Sequence, residues 1–189
     1  MSTQVVIQPA TEPVSLAEAK AYLRVTSSDE DATISFLIGV AREAAEHELG
    51  RSLITQTREK TLDVFPIDIR LDYPPVQSVT SIKFLDENGD EQTLSSSSYK
   101  LDNASDSKPA WVKIATGRSW PSTYPEINAV RVRYVAGWAS AAEVPQSIKQ
   151  WMLLNIGHWY ENREATSEAK REPLPFISGL LNRDWIPRI

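Results

Sequence analysis

The chain has 189 residues, a formal net charge of −5 and an apolar fraction of 41%, values typical of a globular protein with one core, or a core and a small subdomain. No apolar run approaches the roughly 20 residues of a membrane span, and the N-terminus lacks the basic and apolar regions of a secretory signal. The absence of cysteine excludes disulfides and thiolate chemistry.

The charge is distributed unevenly along the chain. Residues 1–50 carry 3 basic and 8 acidic side chains, residues 51–144 carry 11 and 12, and residues 145–189 carry 6 and 5. Tight binding to duplex DNA rests on clustered Lys and Arg, and no segment forms such a cluster. The sequence therefore disfavours a protein that grips DNA, although an acidic body can surround DNA without holding it.

Two helices are predicted near the N-terminus, after an extended lead-in over residues 1–14. Ser15 and Glu18 have the spacing of a capping box, which predicts a short helix that ends at about Leu23. Apolar residues at helical spacing predict a second helix over residues 31–49. Gly50 is well suited to end it in the left-handed conformation.

From residue 51 onward the apolar pattern changes to period two, which is typical of half-buried strands. Asn88-Gly89 predicts a hairpin turn with positive φ. The predicted strands lie, in chain order, at residues 55–65, 67–71, 79–85, 91–94, 99–101, 111–114 and 130–135.

A long helix is predicted from Glu143 to Glu164, with Pro145 in its first turn. Apolar residues surround most of its circumference, so we expect one face to pack on its own domain and another to pack elsewhere. Core packing alone explains this pattern about as well as a subunit interface, where Trp and Tyr are enriched.

The C-terminal region after this helix has three predicted parts. Residues 165–172 are polar and are expected to be loose, and residues 176–181 predict one or two helical turns. The tail, residues 182–189, carries the aromatic and arginine side chains of an anchor. The alternative is a tail that folds back on its own domain.

These elements predict an α+β fold. Two N-terminal helices and the long C-terminal helix form a small helical core, made of residues 1–52 and 140–189. A mostly antiparallel β region, residues 53–139, is inserted into that core.

Sequence motifs for catalysis or cofactor binding are absent. His47 and His158 lie on different predicted helices without metal-ligand spacing, and no nucleophile elbow, Walker loop or GxGxxG is present. We therefore predict neither a metal nor a cofactor, and a protein that is not an enzyme. Two alternatives stay open, a carboxylate-based hydrolase that uses the aromatic-rich β region and a monomeric binding module.

The sequence resembles the head–tail connector proteins of tailed phages, also called head completion or adaptor proteins, in their longer subgroup with a β insertion. Each matching segment consists of common residues, but the order and spacing of the segments together are specific to this family. They are residues 13–20 (PVSLAEAK) with Leu23-Arg24-Val25, Asp29-Glu30-Asp31, Ile34, Leu37-Ile38, Ala41-Arg42-Glu43, Glu46, Gly50-Arg51, Pro74-Pro75-Val76, Val79, Ile82, Trp120-Pro121, Val130-Arg131-Val132, Tyr134, Gly137, Val144-Pro145, Ile148-Lys149 and residues 159–164 (WYENRE).

The resemblance implies a structural subunit of the virion, located at the head–tail junction and made in the cytoplasm of the bacterial host. About twelve copies would form a ring under the portal protein, extend the DNA channel and dock a tail-side completion or terminator protein. DNA would pass through the ring without sequence-specific binding, and no membrane is involved. A head-to-tail contact that closes into a ring needs two different adhesive surfaces on each subunit.

Within this interpretation, three groups of residues are candidates for assembly. The expected oligomer interface is Trp151, Leu154, His158, Trp159, Tyr160 and Arg42. The expected channel-lining acids, which would repel phosphate, are Glu43, Glu46 and Glu48. The expected portal-docking residues are Arg183, Trp185, Ile186 and Arg188, so deletion of residues 182–189 is expected to abolish portal attachment and to leave the fold intact.

Overall fold

The computed structural model describes residues 2–106, 108–162 and 179–186. They divide into a β unit, residues 1–10 and 55–137, and a helical unit, residues 11–54 and 138–189. The predicted α+β class, with three helices and antiparallel sheets, is confirmed. Among the described residues, no helix is long and apolar enough to cross a membrane.

The helical unit contains α1 (Leu16–Leu23), α2 (Asp31–Leu49) and α3 (Gln146–Glu161). The predicted capping box is present, because the Ser15 hydroxyl accepts a hydrogen bond from the Glu18 amide at 3.2 Å and the Glu18 carboxylate accepts one from the Ser15 amide at 2.7 Å. Gly50 follows α2 with φ of 66°, as predicted. α3 begins at Gln146 rather than at Glu143, because Pro145 is its N-cap rather than a residue of its first turn.

The core of the helical unit lies where the three helices meet. α2 contributes Ile34, Ile38, Ala41, Ala45 and Leu49, and α3 contributes Ile148, Met152 and Ile156. These positions recur at intervals of three and four, so each helix buries one stripe against its neighbours.

The β unit contains a five-stranded sheet in the order β1-β2-β8-β4-β5 and a three-stranded sheet in the order β3-β7-β6. Both sheets are antiparallel and share one apolar core, in which the hydroxyl of the buried Tyr134 donates a 2.8 Å hydrogen bond to the Asp72 carbonyl. The strands are β1 (Ser2–Ile7), β2 (Gln56–Leu62), β3 (Asp68–Leu71), β4 (Val76–Leu85), β5 (Glu91–Thr93), β6 (Tyr99–Asp102), β7 (Ala110–Ile114) and β8 (Val130–Ala136).

The first strand differs from the prediction, which described residues 1–14 as an extended lead-in and placed them with the helical core. Ser2–Ile7 pairs with β2 and belongs to the β unit. The cause is the β-branched run Val5, Val6 and Ile7, which favours a pleated strand. Pro9 and Pro13 come after this run and do not interrupt it.

The β4–β5 hairpin is present at the predicted place with different turn geometry. Gly89 has φ of 86°, whereas Asn88 does not have positive φ. The turn is held instead by the Asp86 carboxylate, which accepts hydrogen bonds from the Asn88 amide at 2.9 Å and the Asp90 amide at 3.1 Å. An aspartate-stabilised loop therefore replaces the expected two-residue turn.

The capping box predicts a measurable effect on stability. Replacement of the N-cap residue, Ser15→Ala, removes the acceptor for the Glu18 amide and should lower the free energy of unfolding by about 1 kcal/mol. Denaturant titration measures this change. Ser122→Ala, at an exposed loop serine, serves as the control, and an equal effect of the two substitutions would contradict the assignment.

Candidate functional site

The predicted interface residues of α3 divide into two groups. Trp151, Trp159 and Tyr160 pack partly against the core of the helical unit, and the Tyr160 hydroxyl donates to the Glu30 carboxylate. Leu154 is half-buried and His158 is exposed. The two residues lie one helical turn apart. At 3.6 residues per turn, Leu154 lies about 160° around the helix axis from the centre of the buried stripe. Leu154 and His158 are therefore the members of this set that α3 turns outward.

Arg42 and Glu46 differ from their predicted surface roles, because each is only 5% exposed. The Arg42 guanidinium lies 3.5 Å from the Glu46 carboxylate and donates a 2.9 Å hydrogen bond to Glu12. Glu46 also accepts a 2.8 Å hydrogen bond from the Leu53 amide, in the segment after α2. Both side chains therefore hold the helical unit together, and Glu46 is too buried to line an open channel.

Glu12 makes the Arg42 site unusually acidic. Its carboxylate shares Arg42 with Glu43 and Glu46. Burial raises the pKa of Glu12 above its ordinary value of 4.5, although the neighbouring Arg42 opposes this change. The three carboxylates outnumber the one buried guanidinium, so negative charge is in excess where Glu12 contacts α2.

The remaining acids, Glu43 and Glu48, are exposed as predicted for a channel wall. Their positions on α2 differ by five, which corresponds to about 140° around the helix axis. They therefore face different directions, and one flat surface cannot contain both side chains.

The described C-terminal segment, residues 179–186, folds back on the helical unit. Leu181 and Ile186 are buried, and the Ile186 amide donates a 2.9 Å hydrogen bond to the Leu49 carbonyl. The Arg51 side chain donates to the Asp184 carbonyl. Ile186 is therefore an internal anchor rather than a docking residue, and deletion of residues 182–189 removes contacts of the fold.

Two predicted docking residues stay accessible in this tail. Arg183 is exposed and Trp185 is 56% exposed, between the two buried anchors. The predictions for Arg188, for the loose residues 165–172 and for the first part of the turn at 176–181 lie outside the described residues.

Aromatic residues on α1 and α2 were missed in the sequence analysis. Phe36 is 69% exposed and Tyr22 is 41% exposed. Phe36 stands two residues from both Ile34 and Ile38, so it is out of phase with the buried stripe of α2. That offset is the signal that could have identified it as a surface aromatic.

A groove lies between α1 and α3, next to Tyr22. It has a volume of about 340 Å³, and no α2 residue lines it. Lys149 lies in this groove with its amine 3.8 Å from the Glu18 carboxylate. Its lining residues are Val14, Glu18, Ala21, Tyr22, Gln146, Lys149, Gln150 and Leu153.

The carboxylates of the β unit make surface ion pairs on the five-stranded sheet. Glu59 binds Arg133 at 2.8 Å, and Glu91 binds Lys83 at 2.7 Å and also Arg131. Hydrogen bonds, first from Gln92, lower the pKa of Asp86. Among the described residues, no group of three or more His, Asp or Glu side chains could hold a metal ion.

The sequence profile of the head completion protein family matches residues 12–170. The chain belongs to this family. Membership makes it a structural head–tail connector protein, as the resemblance implied. No curated protein matches the sequence significantly.

Solved structures with the same fold come from gene transfer agent particles. A chain from the neck of the empty particle, computed with C6 symmetry, has a TM-score of 0.81 and 23% identity, and a chain from the virion of the native particle has 0.79 and 23%. A chain from the native neck, computed with C12 symmetry, has 0.74 and 21%. Each comparison covers 100% of this head completion protein and 97% of the solved chain.

The buried pair of Arg42 and Glu46 predicts a large loss of stability on neutralisation. Glu46→Gln removes the buried carboxylate from the charged partners of Arg42, which keeps Glu12 and Glu43, and the loss of an interaction with a charged group typically costs about 1.5 to 3 kcal/mol. The exposed Glu43 lies 3.4 Å from the same guanidinium, and Glu43→Gln should change the free energy of unfolding by less than about 0.5 kcal/mol. Denaturant unfolding of both variants compares them, and equal losses would contradict the assigned difference in burial.

The raised pKa of Glu12 predicts a pH dependence. The folded state holds this proton more tightly than the unfolded state, so the contribution of Glu12 favours folding most at low pH and is lost as pH rises from 4.5 through the raised pKa. The unfolding free energy of the wild type should therefore fall relative to that of Glu12→Gln as pH rises above 4.5.

Glu18 provides the opposite control, because hydrogen bonds from Ser15 lower its pKa. The contribution of Glu18 to folding stability is fully present above its ordinary pKa of 4.5 and is lost as pH falls through the lowered pKa. The wild type should therefore gain stability relative to Glu18→Gln as pH rises. If Glu12→Gln and Glu18→Gln diverged from wild type in the same direction, the assignment of Glu12 would be wrong.

Proposed function

We propose that this head completion protein is the subunit of a closed ring, of about twelve copies, that sits under the phage portal at the head–tail junction. The ring extends the DNA channel and presents a docking surface to a tail-side completion or terminator protein. The family match over residues 12–170 is the observation that carries this proposal. The C6 and C12 symmetry of the particle necks that contain similar chains supports ring formation.

The surface of the helical unit agrees with a ring subunit. A ring of identical copies needs two different surfaces that bind each other. The helical unit has exposed aromatic residues on α1 and α2, a groove of mixed polar and apolar lining between α1 and α3, and the outward residues Leu154 and His158 on α3. Exposed Trp, Tyr and Phe are the side chains that contribute most at protein interfaces.

Glu48 is the acid that we assign to the channel wall. It is exposed, it lies six positions after Arg42, and it faces away from Glu43. A ring of carboxylates, one from each copy, repels phosphate and reduces the friction of passing DNA. DNA then crosses the ring without base-specific contacts, in agreement with the absence of a basic stripe in the sequence.

Arg183 and Trp185 are the residues that we assign to the portal contact. Both are exposed between the buried anchors Leu181 and Ile186, so their side chains are presented from a fixed backbone. An exposed Trp beside an Arg has the composition of an interface hot spot. This assignment does not require the tail to detach from the helical unit.

The experiment that tests the function mixes the purified chain with the portal protein of the same phage and examines the complex by negative-stain electron microscopy. A ring of this chain on one end of the portal is expected. Failure to bind the portal under conditions that support particle assembly would overturn the proposed function.

The portal contact predicts an effect on affinity. Trp185→Ala combined with Arg183→Ala should weaken portal binding by about 30-fold or more, the effect of losing a hot spot of about 2 kcal/mol. Surface plasmon resonance on immobilised portal measures this change. Ile127→Ala, at an exposed apolar residue of the β unit, should bind as wild type does. Unchanged affinity of the double variant would exclude the assigned tail residues while leaving the ring proposal in place.

A further inference from the structure

The turn between β4 and β5 contains the pair Asn88-Gly89, which the proposed assembly does not use. Both residues are exposed. The side-chain amide of an asparagine is chemically labile, most of all before glycine, which has no side chain to hinder attack by its own backbone nitrogen. Asn88 is therefore a candidate for spontaneous deamidation, and the geometry of the turn determines how fast this reaction proceeds.

Deamidation of this pair proceeds through a cyclic imide, with water as the co-reactant. The Gly89 nitrogen loses its proton to hydroxide and attacks Cγ of Asn88. The new N–Cγ bond forms as the Cγ–Nδ2 bond breaks, and Nδ2 takes a proton from water and leaves as ammonia, which regenerates the hydroxide. Water then opens the ring at one of its two carbonyl carbons and gives either aspartate or isoaspartate.

The hydrogen bonds of the turn oppose the ring-closing step. The Gly89 amide donates a 2.9 Å hydrogen bond to the Asp86 carbonyl, so loss of its proton breaks that bond. The Asp86 carboxylate accepts hydrogen bonds from the amides on both sides of Gly89, that of Asn88 at 2.9 Å and that of Asp90 at 3.1 Å. Three consecutive amides are thus bound to one residue, and the backbone cannot rearrange for ring closure until these bonds are broken.

The charge of Asp86 opposes the same step. Its pKa is lowered by hydrogen bonds, the largest effect coming from Gln92, so the carboxylate is ionised at neutral pH. Deprotonation of the Gly89 amide creates a second negative charge close to this carboxylate, which is unfavourable. Gln92 also orients the group, because its side-chain amide donates a 2.9 Å hydrogen bond to Oδ2 and leaves Oδ1 to the backbone amides.

We propose that Asn88 is a latent deamidation site and that the Asp86 carboxylate protects it while the hairpin is folded. Opening of the turn releases the Gly89 amide, and the reaction then makes the damage permanent. Isoaspartate adds a carbon atom to the main chain of the turn, and either product adds a negative charge to residues 86–90, which already contain three acids. Asp86 therefore preserves the covalent structure of the hairpin as well as its conformation.

Peptide mapping by mass spectrometry tests the proposal on the full-length chain. The tryptic peptide of residues 84–100 contains Asn88 as its one asparagine, and deamidation increases its mass by the difference between a carboxyl group and a carboxamide. The protein is incubated at mildly alkaline pH with and without denaturant before digestion. The protection factor is the denatured rate divided by the folded rate. For the wild type it should be about tenfold or more, because the folded chain reacts only from an opened turn.

Three variants separate the contribution of Asp86 from that of the hairpin as a whole. Asp86→Ala removes both the acceptor and the charge and should abolish most of the protection. Asp86→Asn keeps an oxygen that accepts the two amide hydrogen bonds and should retain more protection than Asp86→Ala. Glu87→Gln is the matched control, because it removes a charge from the same turn and leaves the hydrogen bonds to Asp86 in place. Its protection factor should equal that of the wild type.

Three results would overturn the proposal. Equal rates for the folded and the denatured wild type would show that the turn gives no protection. An unchanged protection factor in Asp86→Ala would remove Asp86 from this role, and an equal loss in Glu87→Gln would attribute the protection to the charge of the turn in general. If Asp86→Ala does not fold, Gln92→Ala replaces it, since this variant releases Oδ2 of Asp86. Gln92→Ala should lose part of the protection, and an unchanged value would contradict the proposal.

Discussion

The packing of α2 against α3 is the constraint on which the rest of the helical unit depends. It buries Ile34, Ile38 and Ala41 and thereby determines that Phe36 is on the outside. The buried pair of Arg42 and Glu46 also holds the segment after α2, because Glu46 accepts a hydrogen bond from the Leu53 amide. Pairing and hydrogen bonding are what make two buried charges tolerable.

The protein has the organisation of an assembly component. Charged side chains form ion pairs on the sheet of the β unit and around Arg42, and large aromatic side chains are exposed on the helical unit. Function in such a protein depends on which surfaces a rigid fold presents, since the fold by itself does not specify an activity. Family membership establishes the connector role, and the arrangement of exposed and buried residues suggests how copies join.

Local signals in the sequence predicted much of the fold. The capping box at Ser15 and Glu18, the terminal Gly50 and the alternation of residues 130–135 each depend on neighbours within a few residues, and the structure contains all three elements. β1 was missed because its partner strand, β2, lies more than fifty residues away along the chain. The position of the hairpin was predicted, but the hydrogen bonds that the Asp86 carboxylate accepts in its turn were not.

The candidate site was harder to predict, because burial of a charged residue depends on distant partners. Arg42 and Glu46 have the residue types of a solvated helix face, and only the approach of Glu12 and Leu53 makes them internal. In the sequence, Ile186 has the residue type of an exposed docking residue. Its internal role depends on the hydrogen bond from its amide to the Leu49 carbonyl, 137 residues earlier in the chain. Phe36 was overlooked since single exposed apolar residues are common on protein surfaces.

The central claim is that this chain forms a closed ring at the head–tail junction. Electron cryomicroscopy of the neck, from particles that carry this protein, tests it most directly. The expected result is a ring coaxial with the portal, with about twelve copies joined through their helical units; the neck that contains a similar chain was computed with C12 symmetry. A neck that lacks this chain, or that holds it as separate copies without contact between helical units, would contradict the account.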